Sequence, residues 1–451
     1  MPSRSRNYSR ATAIDEFVRF RGSYKCALWL CAESLLRASQ NRTLYLCPTK
    51  TLPTKSSLNS SIPETRPLPP QDYRKARLSV MPINNAAWIP ADKQSLIVGE
   101  APYPTPGPKE IVLRNRAIAI NPIDWIQQSQ GTAFGFRWIK FPFILGNDVA
   151  GEVVEIGNQV KRFKVGDRVL GQAMATDQKI NNAAYGAFQL YTVILEQVAC
   201  PIPDHMSFEV ASVLPLGFTT AAAGLFGEDQ LGLQYPQLEP EKKEKTVLIW
   251  GGSTSVGCNA IQLATAAGYD VITTCSPKNF DLVKSLGAIA AFDYRDPCVN
   301  NDIVRAMAGK SLAGAISIGQ DSMFHCLDIL ARCEGDKRLA MATFPVPDPS
   351  QPRRFAALQI LLYAAISMIS ITVKARLGGI KIGFIWGSVV DSPVGDAVYR
   401  DFLPKALANN SFTAMPEPKV IGDGLEMVQE AMYIQKQGVS AKKVVVRLNE
   451  K

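Results

Sequence analysis

Three stretches of this chain carry residue types whose spacing could do chemistry. The first is Gly251-Gly252-Ser253-Thr254-Ser255-Val256-Gly257, between the apolar run Val247–Trp250 and the helix formers Asn259–Ala267. That pattern reads as strand, tight turn and helix. Glycine lets a turn close tightly and lets backbone approach a pyrophosphate, while the helix start offers unpaired N–H groups to the phosphates. The spacing is not a strict G-x-G-x-x-G, and a purely structural turn is the alternative. The second stretch follows the next apolar run and reads Ser276-Pro277-Lys278-Asn279. An NAD-selective site places a carboxylate there for the ribose 2′-hydroxyl. A cation with small hydrogen-bonding side chains suits a 2′-phosphate instead and favours NADPH, unless these residues form an ordinary exposed turn. Tyr294, just beyond a third apolar run, is a candidate adenine-side contact or a tyrosine half-buried at a strand end. The third stretch is a pair of motifs, Asn121-Pro122-Ile123-Asp124-Trp125 and Leu145-Gly146-Asn147-Asp148-Val149-Ala150-Gly151. Both fall among short β-rich runs.

The elements that must position these residues change character along the chain. From Met81, short strands are expected at 111–114, 117–120, 151–157, 168–171 and 188–193, separated by Gly, Pro, Asn and Asp turns. This is an all-β segment, a small, partly open barrel. Helical character begins at Ser207–Leu216 and Thr219–Phe226, and Asp229–Lys245 reads as a surface loop. Strands at 246–250, 270–274, 289–293 and 314–318 then alternate with helices at 256–267, 279–286, 300–308 and 322–333. That alternation predicts βαβ units and a doubly wound parallel sheet. A helix at 395–409, a turn at 415–418, a helix at 424–437 and a strand at 443–448 end the chain. The expected divisions are a basic, disordered extension over 1–80, a β-domain over 81–205, a nucleotide-binding domain over 206–395 and a return segment over 396–451.

Two segments do not fit this plan. Residues 1–80 hold 14 Lys/Arg against 5 Asp/Glu, whereas the remaining residues hold 35 of each sign. The net charge of +9 therefore lies in the extension, and the neutral body excludes a nucleic-acid-binding domain. The extension permits a mitochondrial transit peptide, which Asp15 and Glu16 count against; a disordered tail or a misplaced start before Met81 is the plainer reading. Within it, Tyr24–Leu36 could form an amphipathic helix. The second segment is an apolar insertion over 347–378, where Phe355–Val373 carries no charge between Arg353, Arg354 and Lys374, Arg376. It barely spans a bilayer. A buried or surface-docked helix, or translated intron sequence, are the alternatives. Nine scattered cysteines without a C-x-x-C pair suggest reduced thiols and a cytoplasmic location. Two histidines, His205 and His325, exclude a His-rich metal site.

Taken in order, these motifs resemble the medium-chain dehydrogenase/reductase superfamily over roughly 81–451. Gly166-Asp167-Arg168-Val169, Pro215-Leu216 with Thr219-Thr220-Ala221, and Gly438-Val439-Ser440-Ala441-Lys442-Lys443 support the resemblance. It implies an α/β fold with a GroES-like β-domain, a Rossmann domain, and a cleft between them. Zinc-dependent members carry a Cys near 121–124 and a Gly-His-Glu at the second motif. Here Asn147 and Asp148 stand in those places, the structural zinc lobe is missing between Gly171 and Gly186, and no metal site is expected. The chain is most similar to zinc-independent quinone reductases and to trans-acting enoyl reductases of fungal polyketide synthases. The resemblance implies NADPH as cofactor and hydride transfer to an activated C=C bond or a quinone. It places Asn121 and Asp124 beside the nicotinamide, Thr219 in the cleft, Gly251–Gly257 on the pyrophosphate, Ser276, Lys278 and Asn279 on the 2′-phosphate, and Val439 and Ser440 at the domain junction. Asp124 could equally brace its own loop. Many fungal relatives have a lysine after the Asn-Pro-x-Asp-Trp motif, where this chain has Ile126. The expected partners are a small-molecule substrate and a polyketide-synthase-like protein, with the chain as monomer or dimer. A non-catalytic NADPH-binding subunit and an alcohol dehydrogenase-like enzyme are the rival functions.

Overall fold

The computed structural model of the chain describes residues 82–131, 136–344 and 356–448. The expected helix at Tyr24–Leu36, and all of 1–80, lie outside these residues.

Period-two alternation builds the first sheet system. Strands β1 (Asn84–Ile89), β2 (Ile97–Ala101) and β4 (Phe143–Ile144) form a small sheet in the order β2-β1-β4. Strands β3 (Glu110–Ala119), β5 (Asp148–Ile156), β6 (Arg168–Gln172), β7 (Tyr191–Leu195) and β8 (Ala199–Pro201) form a larger one, with β3 bonded to both β5 and β7. The two runs expected at 111–114 and 117–120 are a single long strand. Register shifts at Val112/Leu113 and Asn115/Ala117 bend it, which is how a bulged strand serves two partners. Ile111, Leu113, Ile118, Val149 and Ile194 fill the interior.

The second domain is parallel. Strands β9 (Lys245–Trp250), β10 (Asp270–Cys275), β11 (Ala290–Asp293), β12 (Ser311–Ser317), β13 (Arg338–Met341) and β14 (Lys381–Phe384) lie in the order β11-β10-β9-β12-β13-β14. This is the doubly wound 3-2-1-4-5-6 order, which reverses between β9 and β12 and opens a crevice at their carboxyl ends. The sheet's helices are α4 (Ser255–Ala266), α5 (Phe280–Ser285), α6 (Val299–Ala306), α7 (Ser322–Arg332) and α8 (Ala356–Leu377). Helix α1 (Pro122–Gln130) belongs to the β-domain. The single helix expected over 207–216 is instead α2 (Phe208–Ala211), followed by α3 (Pro215–Phe226), because Pro215 has no N–H to continue the preceding turn.

The apolar run at 355–373 is not an insertion. It forms most of α8, the crossover between the adjacent strands β13 and β14. Ile371 and Ala375 are buried against Met323, Leu327 and Leu330 of α7 and its surroundings. Leu362, Ile366, Ile369, Val373 and Leu377 line the opposite, exposed face. A helix tied at both ends to neighbouring strands, with one face in the core, is not placed to cross a bilayer. Strands β13 and β14 escape a periodicity reading because each is four residues long.

After a helical run at 393–408, strand β15 (Glu417–Asp423), helix α9 (Val428–Lys436) and strand β16 (Lys442–Arg447) return to the β-domain. β16 pairs antiparallel with β3, so the chain's last strand closes the first sheet. The first residue of the return segment to pair in that sheet is Glu417.

Candidate active site

At the carboxyl end of β9 the backbone turns at Gly251 with φ +91°, a conformation that L side chains rarely adopt. A Cβ on Gly252 would lie 2.1 Å from Thr273 Oγ1, and one on Gly257 2.2 Å from the Gly251 carbonyl oxygen. The glycines are therefore required by close approach. Thr254 caps α4, its Oγ1 accepting from Gly257 N at 3.0 Å and donating to the Gly251 carbonyl at 2.8 Å. The first-turn N–H groups of Ser255 and Val256 have no acceptor within the helix. Ser255 Oγ is buried without a hydrogen-bond partner, as is Ser317 Oγ at the end of β12. Gly319, at φ +104°, has open space where its Cβ would stand. A glycine-built turn at the switch point, with helix-start N–H groups beside the open space at Gly319, fits a phosphate-bearing group.

The second stretch lies across the domain junction from the chain's last loop. Lys278 and Asn279 line a cleft of about 320 Å³ together with Glu417, Ser440 and Lys442. Asn279 Nδ2 donates to Ser440 Oγ at 3.3 Å. Residues expected to contact one cofactor, but 161 apart in sequence, thus meet. Val439 is half-buried and packs on the β-domain core beside them. Tyr294 is 40% exposed at the end of β11, with the Arg295 guanidinium over its ring.

The third pair of motifs forms a buried polar cluster. Asn121 precedes α1, and its N–H donates to Asp124 Oδ2 at 2.7 Å. Asn147 Nδ2 donates to Asp124 Oδ1 at 2.9 Å, so both carboxylate oxygens are engaged. Asp148 Oδ2 accepts from Asn121 Nδ2 at 2.9 Å and from Lys443 Nζ at 2.8 Å. Lys443 Nζ also donates to Asn121 Oδ1 at 2.5 Å, and Asp148 Oδ1 accepts from Leu216 N at 2.6 Å. Asp124 and Asp148 are fully buried, and Lys443 is 4% exposed. The cluster joins α1, β5, the returning strand β16 and the start of α3, at the seam between the two domains.

Asn121, Asp124 and Thr219, expected beside the nicotinamide and in the cleft, are all buried in this geometry. Thr219 does not face the cleft. It is fully buried, with Oγ1 2.8 Å from the hydroxyl of Tyr399, which in turn donates to the Pro215 carbonyl at 3.2 Å. The cause is the helix surface: on a helix buried almost all round, Thr219 points into the core shared with the 393–408 run. Thr219→Val is expected to cost about 1 kcal/mol of stability, the worth of one hydrogen bond, with kcat/KM unchanged. A large loss of kcat with normal folding would return Thr219 to the chemistry. Asp124 accepts from the Asn121 N–H at the start of its own loop and from the Asn147 amide. Asn121 is buried too, its side chain spent on Asp148 and Lys443.

Burial pushes the Asp124 carboxyl up from 3.8 to about 7, and the nearby Asp148 charge adds to this; the Asn121 N–H, the Asn147 amide and Lys443 act against it. The raised value has a definite sign. Between pH 4 and 7 the folded chain holds a proton that the unfolded chain releases, so this group's contribution is full in acid and falls as pH rises through about 7. Asp124→Asn is expected to flatten the fall in Tm between about pH 4 and 7. An unchanged slope in the variant would refute that origin.

The positions expected to hold zinc ligands in metal-dependent relatives are spent otherwise. Asn147 donates to Asp124, and Asp148 faces the Lys443 ammonium, a charge that opposes a second cation at the same oxygen. Among the described residues no three His, Cys, Asp or Glu side chains come together as a ligand set. Sequence reasoning missed Lys443 as a site residue. Its signal was a lysine heading the apolar run Val444-Val445-Val446, where a buried charge needs a buried partner.

Comparison with known proteins agrees with this architecture. Residues 107–204 match the alcohol dehydrogenase GroES-like domain. The chain is 51% identical over 371 residues to dehydrogenase pigH of Monascus ruber, covering 82% of this chain and 100% of that protein. It is 38% identical over 373 residues to trans-enoyl reductase himH of Aspergillus japonicus, covering 81% and 98%. The fold is also that of the quinone oxidoreductase from Coxiella burnetii, with a TM-score of 0.58 at 21% identity over 82% of this chain and 100% of that one. With its GroES-like β-domain, its doubly wound parallel sheet and relatives of this similarity, the chain belongs to the medium-chain dehydrogenase/reductase superfamily of oxidoreductases.

Proposed function

We propose that the chain is an NADPH-dependent, zinc-independent reductase that acts on an activated C=C bond, as in an enoyl thioester or enone, or on a quinone. The observation that carries this reading is the junction cleft. It brings Lys278 and Asn279 against Ser440 and Lys442, with no carboxylate in the turn that follows β10. When bound, the nicotinamide would supply a hydride; the substrate carbonyl would take up the displaced electron pair, and a proton from water would complete the reduction. The chain's own residues bind and orient. The Gly251–Gly257 turn and the first turn of α4 would hold the pyrophosphate, and Ser276, Lys278 and Asn279 the 2′-phosphate. Asn121, locked by Asp148 and Lys443, fixes the loop that would border the nicotinamide. The name trans-enoyl reductase carried by himH supports the enoyl reading and a substrate presented by a separate, polyketide-synthase-like partner. Six described cysteines are free, which suits a reducing, cytoplasmic setting.

The test is direct. Nucleotide fluorescence on titration with the protein is expected to show saturable NADPH binding, tighter than NADH. Addition of enones, quinones or enoyl thioesters should then oxidise NADPH. No NADPH binding at about tens of micromolar, within the ordinary range of enzyme affinities, would overturn the reading.

A further inference from the structure

Lys442 and Glu417 have so far been given no contact with the cofactor, yet both line the cleft that Lys278, Asn279 and Ser440 form. They stand directly opposite each other on the parallel strands β15 and β16, and Lys442 Nζ donates to Glu417 Oε2. Their side chains are 44% and 60% exposed, so water and salt compete with the pair and it is weakly held. A dianionic phosphate entering the cleft would be a better partner for Lys442 than one exposed carboxylate. It would also meet Glu417, which repels it. The carboxylate that dinucleotide folds use to bind a ribose 2′-hydroxyl normally follows the second strand of the parallel sheet. In this chain the turn after β10 has none, and a carboxylate reaches the same cleft from β15, on the other domain.

We propose that Lys442 is the second cation, after Lys278, of a 2′-phosphate subsite, and that Glu417 weakens that subsite and so tempers the preference for the phosphorylated cofactor. This rests on the NADPH reading above. Selectivity is then set jointly by the nucleotide domain and by the returning strand. A ligand that engages both cations also ties β16 to the turn after β10.

The experiment is calorimetric titration of the full chain with adenosine 2′,5′-bisphosphate and with AMP, which differ only in the 2′-phosphate. Lys442→Met is expected to weaken the bisphosphate about tenfold, the order of one charge-assisted contact, and to leave AMP unchanged. Lys442→Arg should retain most of the affinity. Glu417→Gln should tighten the bisphosphate several-fold, an opposite shift that misfolding could not produce. Raised salt should narrow the gap between the two ligands. If Lys278→Met loses the bisphosphate while Lys442→Met binds it like the wild type, the inference fails and the NADPH reading stands. An unchanged affinity in Glu417→Gln removes the role given to that residue. If the wild type binds the bisphosphate no more tightly than AMP, both readings fall.

Discussion

Replacing Lys443 by Met is expected to lower stability more than any other single substitution in the site. The side chain lengths are similar, so packing is largely kept and the change isolates the charge. In the wild type, Lys443 neutralises Asp148, a carboxylate with no solvent exposure. Removing one partner of a buried ion pair typically costs about 3–5 kcal/mol, because the other charge stays buried and uncompensated. That is a large share of the roughly 5–15 kcal/mol that holds a folded chain together. The loss should extend beyond stability. Asp148 Oδ1 accepts from Leu216 N in the first turn of α3, and Asn121 is held by both charges. The seam between the two domains should therefore loosen, and KM should rise for the cofactor. A denaturant titration of Lys443→Met, Asp148→Asn and the double variant decides the matter. The double variant, in which no charge is stranded, should recover a substantial part of the loss, a coupling of about 1–3 kcal/mol for residues in contact. If the two single losses simply add, the cluster is not a unit and this account of it is wrong.

What could be read from sequence depended on how locally each feature is encoded. The Gly251–Gly257 turn was legible because strand, turn and helix start are contiguous, and because glycine has a single physical meaning at a close approach. The alternation of strands and helices from 245 to 333 was legible for the same reason. The segment from 338 to 384 was not. Proline-rich sequence precedes α8, its strands are short, and α8 is apolar on the exposed face as well as the buried one. Its charge-free run therefore looks like a membrane span when it is a crossover helix. Thr219 was misplaced because a motif gives a residue's position along a helix but not the face it presents. Lys443 was missed because its partners, Asn121 and Asp148, are about 300 residues away in sequence, and only the return of β16 to β3 brings them together. Sites made by contiguous backbone are readable from sequence. Sites made by the closure of a sheet need the sheet.

The glycine turn supplies the largest expected effect on cofactor binding, and Gly257→Ala is its cleanest probe. Alanine has a high helix propensity, so in an ordinary third helical position the change would stabilise α4. Here the added Cβ would stand 2.2 Å from the Gly251 carbonyl oxygen and 2.7 Å from Gly252 Cα, both backbone atoms that no rotamer change can move aside. Either α4 withdraws from the turn or the turn opens. In both cases the N–H groups of Ser255 and Val256 lose their register with the glycines, along with the Thr254 cap on Gly257 N. Two or more charge-assisted hydrogen bonds to the pyrophosphate would be lost, which predicts a fall in NADPH affinity of about 100-fold or more. The overpacking itself should cost only about 1–3 kcal/mol, leaving the protein folded. Gly99→Ala is the control, since nothing lies within 4 Å of its added Cβ, and it should bind NADPH like the wild type. Fluorescence titration of both variants, with circular dichroism to confirm folding, separates the outcomes. A folded Gly257→Ala protein that binds NADPH at wild-type affinity would show that the pyrophosphate does not rest on this turn, and the cofactor site would have to be sought elsewhere along the crevice between β9 and β12.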